Sequence, residues 1–155
     1  MKNNVERLLS AAGIRYVSRE YPVDDGQIDG MSIASKIGEN PEQVFKTLVT
    51  EAPGHEYFVF IVPVCSELNL KKAAKSCGRK SIAMIPAKQL LPLTGYVHGG
   101  CSPVGMKKHF PAYIDETALL YSRICVSGGR VGLNLAVAPE DLAGLVGAEF
   151  ADIAG

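Results

Sequence analysis

The run EYFVFIVPVCS, residues 56–66, is the sequence feature that most restricts how this chain can fold. Most of its residues are aromatic or β-branched and nearly all are apolar, which is typical of a central strand covered on both faces. A strand of that kind needs further elements packed on either side of its sheet. The chain has 155 residues, 47% of them hydrophobic, which is enough for one compact core. We therefore expect a single domain over residues 1–155.

The rest of the chain mixes helical and strand patterns. Apolar residues recur at helical spacing over residues 4–12, and LNLKKAAKSCG predicts a basic helix that Asn69 caps and Gly78 ends. The runs IRYVSREY and VFKTLVTE are typical of strands, and two β-rich runs flank Gly128 and Gly129, as in a hairpin with a two-residue turn. The expected fold class is α/β, of the mixed α+β kind, with a curled, mainly antiparallel mixed sheet surrounded by helices.

One lysine lies inside a predicted strand. In VFKTLVTE, strand alternation places Phe45, Thr47 and Val49 on one face and Lys46 with Leu48 on the other. A lysine in such a row either extends to solvent or lies in a pocket, where its ammonium group meets an anion or a developing oxyanion. The residues alone leave both interpretations open.

The segment GGCSPVG, residues 99–105, combines small residues, a proline and one cysteine. Gly99 and Gly100 let the backbone approach a ligand and present N–H groups to an ester carbonyl or a phosphate, although a plain tight turn has the same composition. Cys101 follows His98 by three residues, which suggests a Cys/His pair with a thiolate nucleophile. A free cysteine is more commonly a small buried apolar residue, and proximity in sequence does not establish a pair in space.

Composition excludes several classes of protein. The four cysteines form no CxxC pair and the three histidines have no ligand spacing, so we expect no metal site, no cofactor and no disulfide framework. Glu6 and Arg7 occupy the place where a signal peptide needs apolar residues, and no run is long enough to span a bilayer, so we expect a cytoplasmic protein with no membrane partner. A net charge of zero argues against tight nonspecific binding to DNA or other nucleic acid.

Four motifs together point to a known family. They are NPEQVFKTLV, LNLKKAAK, TGYVHGGCSPVGMKK and VSGGRVGLNL. In this order and at these separations they resemble the YbaK-like family of prolyl-tRNA-editing proteins, which includes the bacterial Cys-tRNA(Pro) deacylase. The resemblance extends over essentially the whole chain. It implies a YbaK-like fold and hydrolysis of a wrong amino acid from tRNA(Pro), an error that arises because a synthetase discriminates poorly between small side chains.

The resemblance also implies roles for particular residues. Lys46 matches the residue most closely tied to activity, and catalysis in the family uses no enzyme nucleophile: the thiol of a cysteinyl substrate is thought to attack its own ester, and a positioned water or ribose hydroxyl serves for alanyl substrates. The substrate-binding pocket is expected to include Tyr21, Thr47, Gly99, Gly100, Ser127 and Asn134. Prolyl-tRNA synthetase is the implied partner. The clustering of basic residues, independently of the resemblance, indicates either a solvated helix face or a surface that meets the tRNA or the synthetase. The candidate tRNA contacts are Lys71, Lys72, Lys75 and Lys107.

Two departures from the family pattern fall where amino-acid specificity is set. The position of Asn134 is usually aspartate in the deacylase, so a neutral amide replaces a carboxylate that can engage the substrate amine. The loop PVDDGQIDG, residues 22–30, lacks the histidine and the aromatic residue expected there and is one residue shorter. The sequence therefore leaves open a preference for Cys, for Ala or for another small residue. It also leaves open a noncatalytic module that binds a nucleotide or a tRNA 3′ end.

Overall fold

The buried run that begins at Glu56 is the central strand of a five-stranded sheet in the computed structural model, which describes residues 2–155. The helices are α1 (Asn4–Ala11), α2 (Gly30–Ile37), α3 (Leu70–Ser76), α4 (Leu90–Thr94) and α5 (Pro139–Val146), with 3-10 turns at Pro41–Gln43, Ala87–Gln89 and Glu116–Leu120. The strands are β1 (Tyr16–Glu20), β2 (Phe45–Ala52), β3 (Glu56–Pro63), β4 (Ala83–Met84), β5 (Ala112–Asp115), β6 (Ile124–Ser127), β7 (Leu133–Val137) and β8 (Ala148–Ala151).

The strands form two sheets rather than one. The larger has the order β4-β2-β3-β5-β8, with antiparallel pairing on the β2 side of β3 and parallel pairing on the β5 side. The smaller is antiparallel, with the order β1-β7-β6. A bridge between Val44 and Cys125 joins them, and the Val64 N–H donates to the Val44 carbonyl across 2.8 Å. The predicted mixed α and β architecture is confirmed, with two joined sheets in place of the single curled sheet that was expected.

Side chains on both faces of the larger sheet are buried, as the apolar run predicts. Ile61 packs with Phe45 and Val49 in a core that is closed by α1 and α5. Phe60, on the opposite face, packs in a second core against α3. The predicted alternation along β2 is therefore present: Phe45 and Val49 belong to the first core, whereas Leu48 packs against the second.

The cap predicted at Asn69 is confirmed, since its side chain accepts a hydrogen bond from the Lys72 N–H. The predicted two-residue turn at Gly128 and Gly129 is wrong. Five residues separate β6 from β7, and the Gly128 N–H donates to the Leu133 carbonyl, so the chain reverses over residues 129–132 rather than at the Gly-Gly pair.

The short strand β8 has no counterpart in the sequence prediction. It follows α5 and pairs in parallel with β5, so its partner lies more than thirty residues earlier in the chain. Among residues 2–155, no helix has both the length and the apolar character needed to span a lipid bilayer.

Candidate functional site

A cavity of about 340 Å³ lies where the two sheets meet. Its volume is near the lower end of the range for small-molecule sites, about 300–1,000 Å³. Six of the seven residues predicted to catalyse the reaction or bind the substrate line it: Tyr21, Lys46, Thr47, Gly99, Ser127 and Asn134. Residues from distant parts of the chain thus meet in one place, which makes this cavity the candidate site.

Strand β2 contributes the lysine and a hydroxyl group. Lys46 is partly buried and faces Val62 across the β2–β3 pair, and within the described chain it makes no ion pair. The Thr47 Oγ1 is buried and has no hydrogen-bond partner among residues 2–155. A buried hydroxyl without a partner is costly, and a charged ammonium group has three donors to satisfy. Both groups are therefore available to a ligand in the cavity.

The smaller sheet supplies the opposite wall. Asn134 on β7 pairs with Ser127 on β6 and with Arg19 on β1, and it is only 5% exposed. Asn134 lines the cavity, and its side-chain amide makes no hydrogen bond among residues 2–155. Ser127 accepts a hydrogen bond from the Gly129 N–H across 3.2 Å, and its own O–H remains free to donate. Tyr21 is buried beside them.

The segment GGCSPVG, residues 99–105, which we call the glycine loop, closes a third side of the cavity. Gly99 has a φ of 85°, a backbone angle that strains any other residue, and a Cβ built there would lie 2.8 Å from the Ile28 Cδ1, so the end of that side chain would have to shift. Gly100 does not line the cavity. Its Cα lies against the backbone of Arg130 and Val131, where a Cβ would approach the Val131 nitrogen to 2.9 Å. Gly100 thus lets the loop pack closely onto the β6–β7 connection.

The loop before α2 covers the cavity and contributes residues that the sequence analysis did not identify. Lys36 Nζ donates to the Pro22 carbonyl, to Asp25 Oδ1 and to the Gln27 carbonyl at 2.7–2.8 Å. These bonds fix the turn that precedes Ile28, and Ile28 lines the cavity next to Gly99. The sequence offers one signal for the position of Ile28, which is Lys36 in the last turn of α2. Nothing in the sequence links that lysine to a loop nine or more residues earlier.

Cys101 and His98 both line the cavity, but the thiol is not activated. Burial raises the pKa of Cys101 to about 12. A catalytic cysteine needs the opposite shift, because the thiolate is the nucleophile. The environment of Cys101 is that of a small apolar residue, which argues against the Cys/His alternative.

We expect the substitution Cys101→Ala to leave the predicted deacylase activity within about two-fold of wild type and to lower the free energy of unfolding by about 1 kcal/mol, through the small volume lost. Steady-state kinetics and chemical denaturation measure the two effects. The exposed Cys65 offers a matched control, since Cys65→Ala removes a thiol without opening a void. A loss of two or more orders of magnitude in Cys101→Ala alone would restore the thiol mechanism.

The lysines predicted to contact tRNA lie outside the cavity. Lys71 and Lys75 are exposed one turn apart on α3, whereas Lys72 pairs with Asp152 across 3.0 Å. Lys107 is exposed beyond the glycine loop, with its backbone N–H bonded to the Thr94 carbonyl. Of the four, Lys72 is therefore the least available to a phosphate group.

Comparisons with known proteins identify the family to which this chain belongs. Residues 31–145 match the family described as "Aminoacyl-tRNA editing domain". A relative from Enterococcus faecalis, named "Putative Cys-tRNA(Pro)/Cys-tRNA(Cys) deacylase EbsC", is 39% identical over 152 residues, which cover 98% of this chain and 93% of the relative.

Two solved structures share the fold. One is described as a "putative trans-editing enzyme for prolyl tRNA synthetase": it is 26% identical, has a TM-score of 0.83, and the match covers 100% of this chain and 99% of that one. The other, "hypothetical protein APE2540", is 23% identical and has a TM-score of 0.87. The match covers 99% of this chain and 100% of that one, and it supports the fold alone. The predicted YbaK-like resemblance and the prediction of an editing hydrolase are confirmed. The chain belongs to the aminoacyl-tRNA editing domain family.

Proposed function

We propose that residues 1–155 form one editing domain that acts in trans and hydrolyses the ester of Cys-tRNA(Pro). The observation that carries this proposal is a cavity in which the unpaired Lys46 lies beside the unpartnered Thr47 hydroxyl, while its only thiol, among the described lining residues, is held protonated. Such a site orients and stabilises a reacting ester without attacking it. The name of the 39% identical relative supports the choice of substrate.

The reaction that fits this site uses the nucleophile of the substrate. The cysteinyl thiol attacks the ester carbonyl, the bond to the terminal ribose oxygen breaks, and that oxygen takes up the thiol proton. The cyclic thioester that forms is then hydrolysed by water to free cysteine. Lys46 stabilises the oxyanion of the tetrahedral intermediate, and the Gly99 N–H assists it, since the Gly100 N–H donates to the Val97 carbonyl.

The other site residues shape the pocket. Thr47 and Ser127 donate hydrogen bonds to the substrate. Gly99 lets its loop lie close against Ile28 at the edge of the cavity, and Gly100 supports that loop. Tyr21 packs against the aminoacyl group, and Asn134 accepts a hydrogen bond from its amine. No metal ion or cofactor enters this chemistry.

The tRNA partner of this reaction is mischarged tRNA(Pro), held by exposed lysines on α3 and beyond the glycine loop. A net charge of zero gives little general affinity for nucleic acid, so we propose that the protein gains tRNA by association with prolyl-tRNA synthetase in the cytoplasm. Co-purification of the two proteins in the presence of tRNA tests this association, and its absence would contradict it.

The test of the proposed function is the rate of amino-acid release by the wild-type protein from four substrates: Cys-tRNA(Pro), Cys-tRNA(Cys), Ala-tRNA(Pro) and Pro-tRNA(Pro). We expect rapid release of cysteine and no release of proline. Comparable rates on both cysteinyl substrates would show that the amino acid, rather than the tRNA, is selected. Release of alanine alone would assign the protein to Ala-tRNA(Pro). Binding of acceptor-stem RNA with no release would identify a noncatalytic module.

A further inference from the structure

The cavity has one acidic side chain among the described residues that line it, Asp29. The sequence analysis assigned this residue to a turn and gave it no role. Asp29 and Lys46 line the same cavity, yet no ion pair joins them or ties either to another residue within the described chain. Asp29 is exposed, whereas Lys46 is partly buried, so the two opposite charges stand apart, one at the open side of the cavity and one deeper inside. This arrangement suits a ligand with a cationic group and an electron-rich group at separate positions.

The position of Asp29 is fixed by its neighbours. Its Oδ1 accepts a hydrogen bond from the Ser32 hydroxyl across 2.6 Å, and its Oδ2 accepts one from the Ser32 N–H across 3.1 Å, so it caps α2. Gly30 holds the start of that helix against the larger sheet: a Cβ at this position would lie 2.4 Å from the Val64 Cγ1. The carboxylate is therefore set in place before a ligand arrives.

The carboxylate retains capacity for a ligand. It accepts two hydrogen bonds from Ser32, and an ionised carboxylate has about four acceptor positions. Hydrogen bonds from the Ser32 side chain and backbone also lower the pKa of Asp29, so it is charged at neutral pH. Across the cavity, the 5% exposed Asn134 presents an unpartnered amide that is polar but neutral.

The substrate class proposed above carries the matching charge. An aminoacyl ester has a protonated α-amino group one carbon away from the ester carbonyl on which Lys46 acts. That cation needs a counter-charge, and Asn134 cannot supply one. We propose that Asp29 binds the α-ammonium group of the aminoacyl ester, with Asn134 as its neutral second acceptor. This inference rests on the proposed function and assigns to the site a specificity-determining residue.

The test replaces the charge while keeping the helix cap. Asp29→Asn retains a side-chain oxygen for the Ser32 N–H, and asparagine caps helices as well as aspartate does. The wild type and this variant are compared on Cys-tRNA(Pro) and on N-acetyl-Cys-tRNA(Pro) at pH 5.5, well below the pKa of an α-amino group, which is about 8 in a peptide and lower beside an ester. Asp24→Asn is the matched control, because Asp24 is exposed in the same loop and does not line the cavity.

We expect Asp29→Asn to lower kcat/KM on Cys-tRNA(Pro) by about five-fold, the effect of a partly solvated ion pair, and to leave the acetylated substrate unaffected. The double variant Asp29→Asn with Asn134→Asp is expected to regain activity on the free amine, because the charge returns to the opposite wall. An equal loss on both substrates would show that Asp29 acts only through the helix, and no loss on either would remove it from the site.

A binding measurement separates this inference from the proposed reaction. The probe is 3′-cysteinylamino-3′-deoxyadenosine, an amide analogue of the charged tRNA end, together with its N-acetyl form. Tighter binding of the free amine by wild type than by Asp29→Asn supports the inference even in a protein that releases no amino acid. Equal binding of the free amine by both proteins, or no binding by either, overturns it.

Discussion

Replacing Lys46 with alanine is expected to lower kcat for Cys-tRNA(Pro) deacylation by about 100-fold or more, the usual cost of removing one group that stabilises an oxyanion. Lys46 makes no ion pair in the described chain, so its removal leaves no buried partner unsatisfied. We therefore expect the fold and the midpoint of thermal unfolding to change little. Single-turnover release of labelled cysteine, with excess protein, measures the chemical step directly.

Two further substitutions show which property of the lysine matters. Lys46→Met keeps most of the aliphatic stem and removes the charge, and we expect it to be as inactive as the alanine variant. Lys88→Ala removes an exposed lysine from a 3-10 turn and is the matched control for overall charge. Wild-type rates in both Lys46 variants would contradict the electrostatic role and leave catalysis to the backbone of the glycine loop.

Local patterns in the sequence predicted the part of the site that depends on local structure. The alternation in VFKTLVTE placed Lys46 and Thr47 on opposite faces of one strand. In the structure they are neighbours at the start of β2, where both line the cavity. Side chains alternate between the two faces of any β-strand, whichever strand it pairs with. The cap at Asn69 was predictable for the same reason, because capping involves only neighbouring residues.

Features that depend on distant residues were not predictable from such patterns. Asp29 lies in a polar, glycine-containing segment that has the composition of a solvated turn, and its place in the cavity depends on hydrogen bonds from Lys36 and on the approach of Gly30 to Val64. The Gly128 connection was misjudged because the chain reverses over residues 129–132 rather than at the Gly-Gly dipeptide. Likeness to a family supplied the function, which no single motif established.

The largest expected loss of stability comes from Asp115→Ala. Asp115 is 1% exposed at the end of β5, and its carboxylate accepts hydrogen bonds from the backbone N–H groups of Thr117, Ile153 and Ala154 and from the Thr117 hydroxyl. Alanine would leave buried donors without acceptors, each at a cost of about 1–3 kcal/mol. We expect the free energy of unfolding to fall by about 3 kcal/mol or more, measured by chemical denaturation.

The matched control is Asp152→Ala in the same carboxyl-terminal segment. Asp152 is exposed and pairs with Lys72 on the surface, so its loss is expected to cost less than about 1 kcal/mol. A similar small cost for Asp115→Ala would mean that water replaces the carboxylate in that space.

The effect of Asp115 also reaches the predicted tRNA surface, because the segment that it holds supports the start of α3. The Ile153 carbonyl accepts from the Asn69 N–H across 2.8 Å, and Leu68 bridges to Ala154. Below its unfolding transition, Asp115→Ala is expected to bind tRNA(Pro) more weakly, since the α3 lysines lose their fixed position, while the cavity keeps its affinity for the adenosine analogue. Equally weakened binding of tRNA(Pro) and of the adenosine analogue would indicate that the loss of Asp115 also alters the cavity between the two sheets. Unchanged tRNA binding would show that α3 is not the surface that meets the nucleic acid.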